Sequence, residues 1–299
     1  MSLSILREIR KIYAAVNTDE VRGEAHKSFT VGLMASSEDV YEAMESVLAP
    51  ASMGRQAREN ALRLTRRAGI APVGGFDFVL CEQGLPVPAN GYVFDPGQPQ
   101  RAISDIAAAY PSLELAIAHN FPGFRRAVAD RIIHRIAREN AFFSLVTALP
   151  NVIPNVLDLP WALGEFATDT AFLTMNQVRM ALVMAAAHDR PVGYKEQKME
   201  IGIIAAGAFG WRALARELAG KIPLGGGLIP KAAIAYAGTY VVGMGLEKIN
   251  RNGRGLTKWE KRQAYTEALA KGKRVAAEIT PSLGAFGNSF NGLFKGRRA

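Results

Sequence analysis

Gly32 lies in an apolar run, FTVGLM (Phe29 to Met34), that reads as a buried strand, and five residues further on stand Ser37, Glu38 and Asp39. A loop at that place is where an α/β domain would hold nucleotide phosphates. The P-loop form G-x-x-x-x-G-K-[ST] supplies glycine N–H groups to cradle phosphate, a lysine for the outer phosphates and a hydroxyl for magnesium. Counted from Gly32, Ser37 takes the place of the second glycine, Glu38 that of the lysine and Asp39 that of the hydroxyl-bearing residue. Two carboxylates at that spot repel phosphate. The sequence predicts the strand–turn–helix shape of a nucleotide-binding domain without its chemistry.

The remaining reactive groups are scattered. His26, His119, His134 and His188 have no metal-ligand spacing, and no G-x-S-x-G is present. Cys81 is the one cysteine, which excludes an internal disulfide and a cysteine metal cluster and fits a reducing compartment. It sits in the apolar run FDFVLC with no evident activating base and reads as core. Gln177 and Arg179 flank an apolar helix face, where a polar group needs a partner, so a structural hydrogen bond is their expected role. No catalytic residue, cofactor or metal is expected.

Several kinds of element must carry these residues. From about Lys27 to Tyr110, short apolar runs alternate with helical patterns: Phe29 to Met34, Phe76 to Cys81 and Tyr92 to Phe94 read as strands. A helix capped by Ser37 runs to Leu48, a second from about Met53 to Ala68, and another from Pro99 to Ala109. Alternation of this kind implies a small α/β layer with parallel pairing. Ahead of it, Ile5, Ile9, Ile12, Tyr13 and Val16 recur at helical spacing between basic residues, an amphipathic helix that packs on the body or touches a membrane. The segment lacks the apolar core and cleavage site of a secretory signal, so the chain is expected to stay in the cytoplasm.

From Ser112 onward the pattern is helical. Pro122 to Leu149 carries an apolar face and a basic stripe of Arg131, His134, Arg135 and Arg138, a solvated face or a docking surface. PNVIPNVLDLP (Pro150 to Pro160) is a proline-punctuated joint, followed by helices over Trp161 to His188 and Gln197 to Gly220. Between Ile201 and Leu246, two segments rich in small residues are hinged on a Gly/Pro turn. Gly202, Ala206 and Gly210 in the first half and Ala235, Thr239 and Gly243 in the second are spaced by four, which lets helix backbones approach closely in membrane pairs or in tight soluble bundles. Arg212, Arg216, Glu217 and Lys221 make the first half costly to insert. Ala232 to Leu246 is uncharged but spans only about 22 Å at about 1.5 Å per residue, so it is a core helix or a short inserted segment helped by Lys231.

The formal net charge of +9 favours polyanionic partners. Much of it follows the second small-residue helix: Lys248, Arg251, Arg254, Lys258, Lys261, Arg262, Lys271, Lys273 and Arg274 face only Glu260 and Glu267. A polybasic segment after an apolar helix suits an anionic cytoplasmic leaflet. The end of the chain places Phe286, Phe290, Leu293 and Phe294 at helical spacing beside Lys295, Arg297 and Arg298, an interfacial anchor or a basic tail. Nucleic acid is the disfavoured use of this charge, since Trp259 and Tyr265 are the only aromatics interleaved with it.

Asp158, the helix with Gln177 and Met180, the small-residue helix with Arg212, the turn from Ile222-Pro223 to Ile229-Pro230 around Gly225 to Gly227, and AYAGTYVVG form an ordered set. Over roughly residues 142–249 it resembles the bacterial domain of unknown function DUF697. The resemblance implies attachment to, or association with, GTPases of the Era-like class, and for some members an inner-membrane location; it implies no catalytic residues.

The expected fold is therefore α+β and mostly α, with a small degenerate nucleotide-binding-like domain followed by a helical domain containing the small-residue hairpin. The expected segments are an amphipathic helix (1–20), the α/β domain (21–111), linking helices (112–150), the DUF697-like domain (151–250) and a basic segment (251–299). The expected function is a non-enzymatic scaffold or GTPase-linked adaptor at the cytoplasmic face of the inner membrane, peripheral or hairpin-inserted. It would contact anionic lipid or a partner through Lys231, Lys248, Arg251, Arg254, Lys258, Trp259, Lys261, Arg262, Phe286, Phe290 and Phe294, with a GTPase or a second copy of the chain as protein partner. The alternative is a soluble helical interaction module bearing the same degenerate domain.

Overall fold

The computed structural model describes residues 16–70, 74–147, 169–205 and 228–295, with side chains described as far as Thr280. The expected amphipathic helix ahead of Val16, the proline-rich joint, Ala206, Gly210, Arg212, the glycine turn and the side chains of Phe286, Phe290 and Phe294 lie outside the described residues. The fold is α+β and mostly helical, with one four-stranded parallel sheet. The chain divides into an α/β unit, residues 18–131 with 183–192, and a helical unit, 132–182 and 193–299 together with 1–17.

In the α/β unit the elements run α1 (Thr18–Ala25), β1 (Val31–Met34), α2 (Glu38–Leu48), α3 (Arg55–Leu62), β2 (Thr65–Arg67), β3 (Phe78–Glu82), β4 (Gly91–Phe94), α4 (Pro99–Ala109) and α5 (Glu114–Asn120). A short 3-10 turn (Pro122–Phe124) leads into α6 (Arg125–Val146). The strand order is β2-β1-β3-β4 and every pairing is parallel. Parallel strands are covered on both faces and so read as unbroken apolar runs. All four residues of β1 and the first four of β3 are buried accordingly. Phe29, Phe78, Phe121 and Phe124 pack as rings at one side of this core.

Two expectations are corrected here. The helix expected over Met53 to Ala68 ends at Leu62, and Thr65–Arg67 forms β2 instead. This strand is a three-residue edge, so it lacks the apolar run that marks a strand in sequence; Val31 N–H donates to the Leu64 carbonyl (2.8 Å) and Ala68 N–H to the Leu33 carbonyl (2.8 Å). Ser37 precedes α2 in extended backbone but makes no side-chain cap, and Glu38 and Asp39 meet the positive end of the helix. Gly32 is glycine for packing: a Cβ there would lie 2.8 Å from the Phe76 ring.

The helical unit contains the rest of α6, the first part of α7 (Asp169–Ala187), a helical segment at 198–205, α8 (Leu228–Asn252) and α9 (Lys258–Lys295). Its core joins Ala137, Ala141 and Leu145 of α6 to Ala232 and Tyr236 of α8 and Ala276 and Ile279 of α9. A second cluster joins Ala237 and Val241 to Tyr265 and Ala268. No helix of the described residues is long and apolar enough to cross a membrane.

The small residues divide by position. Ala235, Thr239 and Gly243 are buried, and a Cβ on Gly243 would lie 2.6 Å from Ile133 of α6 and 3.1 Å from the Met180 sulfur of α7. Gly272 of α9, not singled out by spacing, meets the α8 backbone, where its Cβ would stand 2.8 Å from the Ala233 carbonyl oxygen. Gly202 is exposed, with nothing among the described residues within 4 Å of a Cβ placed there, so no described residue meets it in the packing role expected of it.

Candidate membrane-facing site

The basic segment after α8 is built on a tightly tied turn. Gly253, at φ +72°, ends α8 with its N–H on the Ile249 carbonyl (2.8 Å), a backbone conformation suited to glycine. Arg254 to Thr257 then run without regular structure, and Leu256 packs against the cluster formed by Ala237, Val241, Tyr265 and Ala268. Helix α9 starts at Lys258 with a reciprocal cap: Glu260 N–H donates to Thr257 Oγ1 (3.2 Å), and Thr257 N–H donates to the Glu260 carboxylate (2.8 Å). Lys248 of α8 donates to the other carboxylate oxygen of Glu260 (2.6 Å). The Lys248 ammonium, followed by the Thr257 bonds, holds the Glu260 carboxyl down to about 2.

Because Tyr265, Ala268, Gly272, Ala276 and Ile279 face the core, the first turn of α9 turns its other side to water. Trp259 is 71% exposed there, and Arg254, Lys258, Lys261 and Arg262 around it are exposed. None of these four cations makes an ion pair with a described residue. Lys248 and Arg251 are engaged, with Glu260 (2.6 Å) and Glu247 (2.9 Å), so they belong to the scaffold of the turn rather than to its free charge. Lys231 is exposed and reaches Thr147 Oγ1 (3.5 Å). The α/β unit holds 12 Lys and Arg against 15 Asp and Glu, a net of −3, which leaves +12 to the helical unit. An exposed indole among these cations puts an apolar wedge and positive charge on one surface.

Two other places could have done chemistry. In the α/β unit the strand order reverses between β1 and β3, and the crevice beyond their carboxyl ends is where such sheets bind ligands. Here Glu82, at the end of β3, accepts the backbone N–H of Ser36 (2.6 Å) and its hydroxyl (2.7 Å). These two bonds hold the Glu82 carboxyl below its ordinary value. The loop amide that would face a phosphate already faces a carboxylate, with Glu38 and Asp39 one turn away. Arg67, the nearest counter-charge, is taken by Glu38 (2.7 Å) and Glu45 (3.2 Å) and lies over the Tyr41 ring. Among the described residues no group of His, Cys, Asp or Glu could hold a metal ion. Cys81 is buried, and burial pushes its thiol up.

In the helical unit, Asn176 donates to Asn140 (2.7 Å), which donates to Thr239 (2.8 Å); Gln177 also reaches Thr239 (3.4 Å). Gln177 thus makes the structural hydrogen bond its position required, whereas Arg179 is exposed. A fully buried, mutually satisfied set of neutral polar groups fixes helix register and offers no nucleophile. His134 sits between Tyr236 Oη (2.6 Å) and Lys271 Nζ (2.7 Å), linking α6, α8 and α9. Lys271 donates, so His134 accepts at Nε2 and donates from Nδ1 to the tyrosine oxygen.

Glu82, Asn140, Gly272 and Lys271 were missed as site or packing residues, because their partners are 46, 99, 39 and 137 positions away in sequence. The T-x-x-E cap at Thr257 was missed as well, although it is a local signal for the start of α9 and so for the place of Trp259.

The fold and this surface define a class: a mostly helical protein with a small parallel α/β unit and a basic, tryptophan-tipped corner. The chain matches no protein-family model, no curated protein and no solved structure.

Proposed function

We propose that this protein is a non-enzymatic scaffold or adaptor that docks peripherally on an anionic membrane surface at the cytoplasmic face, through the turn joining α8 and α9. The observation that carries this reading is Trp259, 71% exposed within the ring of Arg254, Lys258, Lys261 and Arg262. Basic residues near an anionic surface contribute about 1 kcal/mol each, and an indole seated at the headgroup level adds an apolar term of similar size. In this reading the α/β unit recruits a protein partner. That the partner is a GTPase rests on the resemblance of residues 142–249 to DUF697 alone.

The test is flotation of the full-length protein with vesicles containing about 30% phosphatidylserine, at low salt and after a high-salt wash. Trp259→Ala should weaken partition about fivefold, and Ser at all four cations should weaken it by about two orders of magnitude or more. Protein that stays in the supernatant at low salt would sink the proposal.

A second reading, a soluble helical interaction module, is favoured by one observation. Ala232, Ala233, Ala235, Tyr236, Ala237, Thr239, Val241, Gly243 and Leu246 are buried within the helical unit. That burial supports a core helix over an inserted segment, and it leaves the exposed turn as the membrane contact of the first reading. A monodisperse, detergent-free preparation that ignores the vesicles would decide for the second.

A further inference from the structure

We propose that Thr257 is a phosphoryl-acceptor site that switches the charge of the membrane-facing turn; this rests on the membrane reading above. Thr257 is exposed, ends the irregular stretch from Arg254 and stands two residues from Trp259. A protein kinase needs an acceptor hydroxyl on an accessible, extended segment, and kinases with acidic substrate grooves select cations upstream of it. Arg254 stands three residues before Thr257 within that irregular stretch, with Gly253 and Gly255 on either side of it. By contrast, Ser104, which also has an arginine three residues upstream, is inside helix α4, where the backbone cannot extend into a groove.

In the reaction, Thr257 Oγ1 attacks the γ-phosphorus of a nucleoside triphosphate. The new O–P bond forms as the bond to the β-phosphate oxygen breaks, the nucleoside diphosphate leaves with that electron pair, and the hydroxyl proton passes to the kinase's base. The product brings about two negative charges into the ring of Arg254, Lys258, Lys261 and Arg262. It also sets a dianion beside Glu260, whose carboxylate accepts the Thr257 N–H at 2.8 Å. The modified group pairs with the very cations that would meet lipid, so half of the free charge of the turn is cancelled. At about 1 kcal/mol per charge near the surface, partition onto an anionic vesicle should fall about 30-fold.

The experiment treats the full-length protein with a serine/threonine kinase selective for arginine three residues upstream, with magnesium and ATP. It maps phosphate by mass spectrometry and measures flotation with phosphatidylserine vesicles before and after. The expected result is phosphate on Thr257, slower transfer in Arg254→Ala, and a 30-fold loss of partition that Thr257→Asn, which keeps a capping acceptor and is compared with its own partition before kinase treatment, does not undergo. Phosphate absent from Thr257, or present there with partition unchanged, would overturn the switch. Unmodified protein that fails to float would instead overturn the membrane reading itself, and the switch with it.

Discussion

Replacing Gly272 by alanine tests whether the helical unit depends on close approach of α9 to α8. In an exposed helix interior, Gly→Ala stabilises by about 1 kcal/mol, because glycine loses more backbone entropy on folding. At Gly272 that gain is opposed. The new Cβ would stand 2.8 Å from the Ala233 carbonyl oxygen, 3.1 Å from its Cα and 3.1 Å from Tyr236 Cβ. Two of these three neighbours are backbone and cannot swing aside, so the helices must separate. Separation loosens the packing of Tyr236, Ala276 and Ile279, which form one cluster across the contact. Overpacking of this kind costs about 1–3 kcal/mol, and contact with backbone places it at the upper end, for a net loss of about 2 kcal/mol after the propensity gain. Gly202→Ala is the control: Gly202 is exposed, has nothing among the described residues within 4 Å, and its replacement should stabilise by the propensity term, about 1 kcal/mol. Urea titration followed by far-ultraviolet circular dichroism, with scanning calorimetry, would measure both changes. Gly272→Ala at or above wild-type stability would refute the argument, as would the two variants changing in the same direction.

The buried polar chain gives a second prediction: Thr239→Val removes the oxygen that accepts Asn140 at 2.8 Å and should cost about 1–3 kcal/mol, read by the same titration, with Thr239→Ser losing less. A third concerns acid. The Glu260 carboxyl is lowered from 4.5 to about 2, so its contribution to the α9 cap is complete above the ordinary value and is lost as the pH falls toward about 2. The protection of the Thr257 amide, its observed exchange rate set against the intrinsic rate at each pH, should hold down to about pH 4 and fall from there toward about pH 2, whereas Glu260→Gln should be less protected at neutral pH. Finally, neither Mg–ATP nor Mg–GTP at millimolar concentration should raise the melting temperature, since a ligand at 100 times its Kd would add about 2.7 kcal/mol. A clear upward shift would contradict the reading of the β1–α2 loop as closed to phosphate by Glu82, Glu38 and Asp39.

The parts of the fold that could be read in advance are those written locally. Buried parallel strands at Phe29 to Met34 and Phe76 to Cys81 are unbroken apolar runs, and α4 begins at Pro99 and ends at Ala109 as its pattern indicates. The run of cations marked this segment in the sequence, whereas the T-x-x-E cap that starts α9, also written within four residues, was passed over. Strand β2 was hidden because three polar residues at a sheet edge gain their place from hydrogen bonds to β1, not from their own propensity. The small-residue stripe was half informative. Spacing by four marks faces that can approach closely, but Gly202 and Gly243 carry the same signal and, among the described residues, only Gly243 meets neighbours.

The sequence by itself determined the classes of element, the lack of a phosphate-binding lysine and hydroxyl after β1, and the concentration of positive charge between Lys248 and Arg274. These follow from residue type and short-range spacing, which act before any long-range contact forms. Tertiary structure alone decided which cations are free and which are tied to Glu260 and Glu247, that Glu82 fills the place beside Ser36, and that Gly272 rather than Gly202 lets two helices touch. Each of those outcomes joins groups brought together by packing across turns and strands, so neither partner carries a mark of the other in its own neighbourhood of the chain.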